Sequence, residues 1–393
     1  MSSAPILTTK TAAPQTDARR RTGLTVEHRS DLSWTADDVR AFETLIEARP
    51  HVGVFLTRAW LSGLFAEPPD RCQPSVLLLR EAGVLRAIVP LAIRQTIMHT
   101  HVSLLGGGTG SDRVDLLTAR GYEGTCADRV IEWLESEFPR GFVFELRDVP
   151  GDSSLWGAIG RATAERRPRL VLAPREVYTL PYLPLQPPGG APVATDVESQ
   201  ERHQRWLERK CRLRIETLTD ADDVRHSFGV LAGLLRARWG SEHSVLESPR
   251  VQRFHLRVLP LLLAEGRLRM VRLLGDMRPI AVFYGLASRN DVGAPRATPG
   301  ARWWGYYLAG YDREWAGRIH LGRLALAAAI DLAVKEGATD FDFLKGPERV
   351  KYLWPVRERI TVDADVYSRA IGPRLTRATR AARTAVAALV RPT

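Results

Sequence analysis

The segment that most constrains the fold lies between Asp340 and Trp354. Asp340, Asp342 and Leu344 alternate with Phe341 and Phe343, the period-two pattern of a short strand with one apolar face. An aspartate in the middle of such a strand is costly to bury unless a partner uses its charge. Gly346-Pro347 then stops the strand, and Lys345, Lys351, Tyr352 and Trp354 crowd the next turn. Upstream, residues 321–336 form an alanine- and leucine-rich run of helical character closed by Gly337, the residue type that caps helix C-termini. A long helix that delivers the chain directly into a strand implies a layered α/β or α+β fold.

The chain has 393 residues, more than one hydrophobic core usually serves, so two domains are expected. No apolar run approaches the roughly 18 residues of a spanning helix. The start of the chain lacks the apolar core of a signal peptide and reads as polar residues ending in Arg19-Arg20-Arg21. Cys72, Cys126 and Cys211 form neither a CxxC pair nor a disulfide framework, so the cytoplasm is the expected compartment. The net charge of +11 invites a nucleic-acid reading, but its placement argues otherwise. Residues 1–24 carry three of those charges and residues 369–393, with six arginines and no acid, carry six; the body keeps two. That balance argues against a broad phosphate-binding surface.

Along the chain, residues 1–24 read as a disordered leader. Two helices fit 32–65. A hairpin fits 76–79 and 84–89 around Glu81-Ala82-Gly83, with a further strand over 101–105. A helix over 126–138, a strand over 142–146, a helix over 153–166 and a strand over 170–173 complete an N-terminal unit. The proline-rich stretch 181–192 reads as a boundary. A basic helix over 203–214 opens the second unit, followed by helices over 222–239 and 250–265. A strand pair, 268–274 and 279–288, turns at Gly275-Asp276, and a strand over 303–310 follows. The expected division is a leader (1–24), an N-terminal domain (25–182), a C-terminal domain (183–368) and a basic Arg/Ala-rich tail (369–393).

Asp342-Phe343-Leu344-Lys345-Gly346, with Val350-Lys351 and Trp354, resembles the ending of a GNAT-type acyltransferase domain. The branch it is most similar to is the cellulose- and exopolysaccharide-associated (CelD-like) one, related to the Fem-type tandem transferases. The resemblance implies two tandem GNAT-like domains with mixed central sheets and transfer of an acyl group to an amine. It further implies acyl-CoA, acetyl-CoA foremost, as co-substrate, with no metal. In a GNAT domain two adjacent parallel strands splay apart and the pantetheine arm adds into the gap. The diphosphate sits at the N-terminus of the linking helix, where free N–H groups favour negative charge. The resemblance puts the strands at 303–310 and 340–344 and the linking helix at 321–336. The donor-binding residues would be Tyr307, Leu308, Gly317, Arg318, Gly322, Arg323 and Lys345. Arg318 stands four positions before Gly322, where the family pattern has three, and Arg323-Leu324 replace a final small residue.

Acyl transfer to an amine needs a proton acceptor, a stabiliser of the developing oxyanion and a proton donor for the leaving group. Asp342 or Asp312 would serve as base, Lys351 as electrostatic stabiliser and Tyr352 as proton donor. The bland alternative is that Asp342 anchors the following loop by hydrogen bonds and Tyr352 is a core residue. Gly106–Asp112 resembles a loop of the family's first domain, which would place Asp112 and Asp115 beside the acceptor in an interdomain cleft. Alternation puts Trp303, Gly305 and Tyr307 on one face of their strand and Trp304 and Tyr306 on the other, with Trp304 as an acceptor-pocket wall. The acceptor is a small-molecule, sugar or peptide amine. Alternatives are a Fem-like aminoacyl-tRNA donor, tRNA being the one nucleic acid this reading admits, or a non-catalytic scaffold of a polysaccharide synthase. The tail alternates arginine with alanine, valine and leucine, a pattern suited to peripheral contact with an anionic membrane or to a solvated helix.

Overall fold

The computed structural model describes residues 23–48, 54–108, 110–164, 169–186, 205, 208–209, 211–240, 246–289, 302–316, 321–346 and 348–390. The N-terminal half runs β1 (Leu24–Arg29), α1 (Ala36–Ala48), α2 (Arg58–Ala66), β2 (Gln73–Glu81), β3 (Val84–Gln95), β4 (Thr100–Leu104), β5 (Leu117–Thr118), α3 (Glu123–Glu137), β6 (Phe142–Pro150), α4 (Ser154–Ala164) and β7 (Leu170–Pro184). The C-terminal half runs β8 (Leu213–Leu218), α5 (Ala221–Trp239), α6 (Pro249–Ala264), β9 (Leu268–Gly275), β10 (Arg278–Ala287), β11 (Trp303–Tyr311), α7 (Arg313–Ala316), α8 (Leu321–Lys335), β12 (Asp340–Asp342), β13 (Arg357–Ser368) and α9 (Ile371–Val390).

These strands join one mixed sheet in the order β1-β2-β3-β4-β6-β13-β7-β12-β11-β10-β9-β8, with β5 beside β3. Both expected hairpins form. Ala82 and Gly83 take positive φ of 49° and 82°, and Asp276 and Met277 take 48° and 67°, the backbone that two-residue hairpin turns require. Three hydrophobic clusters cover the sheet. One joins α1 and α2 of the first half to α5 and α6 of the second, with Phe254 edge-on to Trp60 at 4.9 Å. A second lies under α3 and α4, and a third under α8. The halves therefore share a core as well as a sheet.

Several expectations are corrected here. Leu24, placed in the leader, is buried at the start of β1; residues 1–22 lie outside the described residues. The boundary at 182–183 falls inside β7, which runs through Pro174, Pro181 and Pro184. Proline is tolerated there because Pro174 lies at a register shift against β13 and Pro184 ends the strand. Leu213 and Arg214, read as helix, belong to β8. The unforeseen strand β13 leaves the C-terminal half and inserts between β6 and β7 of the first.

The tail is helical, as α9, and it is docked rather than free along its first turns. Arg380 donates to Glu145 at 2.5 Å and to Asp365 at 2.8 Å. Asp365, almost fully buried, also accepts from Arg147, Arg175 and Tyr367. Burial alone would raise the Glu145 carboxyl, but hydrogen bonds from His101 and Arg380 pull it down to about 2. Replacing Arg380 by alanine strands part of that charge, and a loss of about 1–3 kcal/mol is expected at neutral pH. Because Glu145 titrates lower in the folded chain than in the unfolded one, the Arg380 contribution is complete above the ordinary carboxylate range and is lost as pH falls towards 2. Denaturant unfolding of parent and Arg380→Ala at pH 7 and pH 3 should show the gap narrowing at the lower pH.

Candidate functional site

β11 and β12 are parallel, joined across the sheet by α8, and pair over three positions: Trp303 with Asp340, Trp304 with Phe341, Gly305 with Asp342. β11 continues beyond that point against β10 as far as Tyr311, whereas β12 stops. From Tyr306 onward the β12 side of β11 has no ladder partner among the described residues. The β10–β11 register skips one residue between Gly285–Tyr306 and Tyr284–Leu308, so Tyr307 is the extra residue of a bulge. Bulges re-aim side chains and end pairing, and they recur beside active sites.

The end of β12 has an identifiable cause. Asp342 accepts from the backbone N–H of Leu344 at 2.9 Å, an Asx turn that turns the chain away from β11. Leu344 and Gly346 then take positive φ of 57° and 115°, while Phe343 stays with β7 by donating to the Pro181 carbonyl at 3.0 Å. The same Asp342 carboxylate, fully buried, accepts from Arg113, from Trp303 Nε1 at 3.2 Å and from Arg359 at 3.5 Å. Lys351 pins the turn from its other side. Its buried ammonium donates to the carbonyls of Lys345 (2.9 Å) and Gly346 (3.0 Å) and reaches Glu348 at 2.6 Å.

The first half supplies the opposite wall. Its loop 106–112 is held by Trp60 Nε1 donating to Ser111 Oγ (2.9 Å) and by Tyr307 Oη donating to the Gly110 carbonyl (2.9 Å). A Cβ on Gly107 would lie 2.8 Å from the Arg147 carbonyl, so the close approach of this loop to β6 requires glycine. Asp112 reaches across the halves to accept from the Lys345 N–H at 3.0 Å. Lys345 Nζ donates to Asp148 at 2.6 Å and lies 3.3 Å from the Tyr178 ring centroid. Burial pushes the Asp112 carboxyl up to about 6, helped by the neighbouring charges of Asp148 and Asp342 and opposed by the Lys345 N–H and ammonium. Behind Tyr307 lie Tyr284 and His255, with ring centroids 5.1 and 5.6 Å away. Burial holds the imidazole neutral, down to about 3. Burial likewise keeps the Tyr307 hydroxyl protonated, well above its usual range.

Asp112, Tyr307, Lys345 and Asp342 thus converge where β12 leaves β11, with Leu308 next along the unpaired side. The other expected site residues go elsewhere. Asp115 is buried within the first half, accepting from Ser153 Oγ at 2.6 Å. Trp304 is buried between Phe283 and Phe341, stacked on both, with its indole N–H on Glu336; it forms core and no pocket wall. Tyr352 is exposed and donates to Glu358 at 2.9 Å, which raises its own titration. Asp312 accepts from the Glu314 N–H at 2.8 Å at the start of α7. Gly322 and Arg323 open α8, and a Cβ at Gly322 would meet the Tyr311 ring at 2.9 Å. Gly317 and Arg318 lie outside the described residues. Arg113, Asp148, Tyr178 and Arg359 escaped the sequence reading; the one local signal was Arg113 between Asp112 and Asp115.

Residues 198–352 match the family model of the acetyltransferase (GNAT) domain. Among solved structures, FemX covers 87% of this chain and 97% of its own, with a TM-score of 0.53 at 9% identity. A conserved protein of unknown function from Bacteroides thetaiotaomicron covers 84% and 97%, with a TM-score of 0.48 at 10% identity. A tandem GNAT protein from the clavulanic acid biosynthesis pathway covers 87% and 98%, with a TM-score of 0.43 at 13% identity. No curated protein matches the sequence. The fold is α/β with a GNAT-type C-terminal half, in the arrangement that the chain shares with FemX.

The Asp342 contacts make a stability test direct. Asp342→Asn removes the charge that Arg113, itself buried, depends on, and should cost about 3–5 kcal/mol in urea unfolding. A loss of catalytic rate with unfolding unchanged would instead return Asp342 to the role of free base.

Proposed function

We propose that the chain is an N-acyltransferase whose acyl donor lies along the unpaired side of β11 and whose acceptor amine enters between the halves beside Asp112. The observation that carries this reading is the three-residue β11–β12 pairing that then opens, with a carboxyl of raised affinity for protons at its mouth. The backbone of Tyr306–Gly310, without a ladder partner on its β12 side among the described residues, suits an amide-bearing pantetheine arm, which bonds as an added strand would. Acyl-CoA, acetyl-CoA foremost, is the donor that fits this edge. Gly322 and Arg323 at the start of α8 would meet its diphosphate, a helix N-terminus being suited to anions.

The geometry supports the following roles. Asp112, ionised above about pH 6, takes the proton from the acceptor ammonium. The amine nitrogen then bonds to the acyl carbon, the carbon–sulfur bond breaks, and the thiolate leaves. Tyr307, protonated throughout the working range, is the hydroxyl at the mouth that gives the thiolate a proton, and it regains one from the nitrogen of the new amide. Lys345, between Asp148 and Tyr178, orients the acceptor side of the opening, and Asp342 and Lys351 hold the turn from which it projects. The acceptor is an amine of a small molecule, sugar or peptide, in keeping with a place in polysaccharide or natural-product chemistry. The whole-chain likeness to FemX favours, as a second reading, an aminoacyl-tRNA donor at the same opening.

Calorimetry with acetyl-CoA separates the readings: binding is expected, and its absence with the chain folded would leave the tRNA-dependent or scaffold alternatives. For any amine acceptor found, kcat/KM should rise with pH through about 6 as Asp112 loses its proton. Asp112→Asn should remove that limb and lower the rate by about 10²–10⁴-fold without lowering the melting temperature. An unchanged pH profile would remove Asp112 from the chemistry.

A further inference from the structure

The turn between β3 and β4 is built the wrong way round for a water-facing loop. Its tip is Ile97-Met98, where turn chemistry favours glycine, asparagine, aspartate or proline. Ile97 is 99% exposed and Met98 50%. The turn is nevertheless tightly closed. Thr96 donates to the His99 carbonyl through its N–H at 3.0 Å and its hydroxyl at 2.6 Å, and its hydroxyl accepts from the His99 N–H at 3.2 Å. Two aliphatic side chains are therefore held rigidly outward on a hydrogen-bonded frame.

The first turns of α9 lie against this tip. A Cβ on Gly372 would sit 2.7 Å from the Met98 carbonyl and 3.1 Å from His99 Nδ1, and Thr376 Oγ1 lies 3.5 Å from His99 Nε2. On the other flank, a Cβ on Gly141 would meet Ala370 and Pro373. α9 is inverted as well. Its protein-facing side carries polar contacts, Thr376 to His99 and Arg380 to Glu145 and Asp365. Its solvent side shows Ile371 (74% exposed) and Leu375 (51% exposed), which a surface helix normally turns inward. Ile97, Met98, Ile371 and Leu375 thus form one apolar rise. Arg140, Arg369, Arg374 and Arg377 stand exposed around it, and residues 94–101, 138–144 and 366–381 contain no acidic residue.

We propose that this face docks on an anionic lipid bilayer, with Ile97, Met98, Ile371 and Leu375 entering the headgroup–acyl boundary and the surrounding arginines meeting lipid phosphates. Charge complementarity selects this occupant. A rigid apolar tip alone suits many partners, but a tip ringed by exposed arginines, with the nearby Glu145 and Asp365 already paired to Arg380, suits a surface that is apolar within and negative at the rim. Each interfacial arginine adds roughly 1 kcal/mol of attraction to an anionic leaflet, and the attraction is screened by salt. No described helix is long and apolar enough to cross a membrane, so the contact is peripheral.

The test is vesicle co-sedimentation of the full chain with phosphatidylcholine alone and with phosphatidylcholine containing phosphatidylglycerol. Binding to the anionic vesicles, weakened by high salt, is expected. The double variant Ile97→Asp/Met98→Asp and the double variant Arg374→Glu/Arg377→Glu should each lower the bound fraction about tenfold. Met277→Asp, at the exposed β9–β10 turn, should leave it unchanged. Melting temperatures of all variants should match the parent, since every substituted side chain is exposed. The proposal fails if the parent binds neither vesicle. It fails if the tip variant binds as well as the parent. It fails too if ultracentrifugation shows a parent dimer that the tip variant dissolves, which would assign the face to a second copy.

Discussion

The buried carboxylate of Asp342 is the interaction on which the arrangement depends. Four parts of the chain meet on it: Arg113 from the first half, Trp303 on β11, Arg359 on β13 and the backbone of Leu344. A buried charge of this kind contributes little net stability when compared with a well-packed apolar substitute, because desolvation offsets most of the attraction. Its effect is positional. It fixes β12 against β11 at one register, ends the strand after Asp342, and ties the opening to the loop of the opposite half. A hydrophobic residue at this position would keep the strand and lose the turn.

The remaining site geometry follows from that opening. With the chain forced into positive φ at Leu344 and Gly346, the N–H of Lys345 faces Asp112 and its side chain reaches Asp148. Lys351 then satisfies the carbonyls that the turn leaves without ladder partners, which matters because unpaired buried carbonyls are costly. Asp112 ends up close to two other carboxylates with only part of a lysine to balance them. Burial, with those charges adding to it, is why its proton is held more tightly than an ordinary carboxyl would hold it. The site is composite: neither half contains both the opening and the carboxyl that faces it.

The insertion of β13 between β6 and β7 explains how the two halves become one body. It carries Arg359 to Asp342 and Asp365 to the cluster of arginines that includes Arg380 of α9. The same strand therefore braces the opening at one end and seats the C-terminal helix at the other. Thr376 and Arg380 of the helix make that seat, while Ile371 and Leu375 face outward.

Local pattern alone determined a good deal. The first hairpin turn, the passage from α8 through Gly337 into β12 and the alternation that sends Trp303 and Tyr307 to one face and Trp304 and Tyr306 to the other appear as read, because each rests on contacts between near neighbours in the chain; the second hairpin turns one residue later than read, at Asp276-Met277, and β12 ends at Asp342 rather than at Leu344. The anchoring role weighed for Asp342 matches the hydrogen bonds that it makes. Tertiary structure decided the rest. The proline-bearing strand β7 and the inserted strand β13 owe their existence to partners far away in sequence, and so escaped periodicity. Trp304 is core rather than pocket wall because β12 and α8 close over it. Asp115 is absorbed by Ser153, Lys351 by carbonyls, and Asp112 is perturbed by burial and by Asp148 and Asp342. A side chain's type fixes what chemistry it can do. Its proton affinity, exposure and free valences are set by which distant groups the fold brings within a few ångströms, and none of those distances is written in the local sequence.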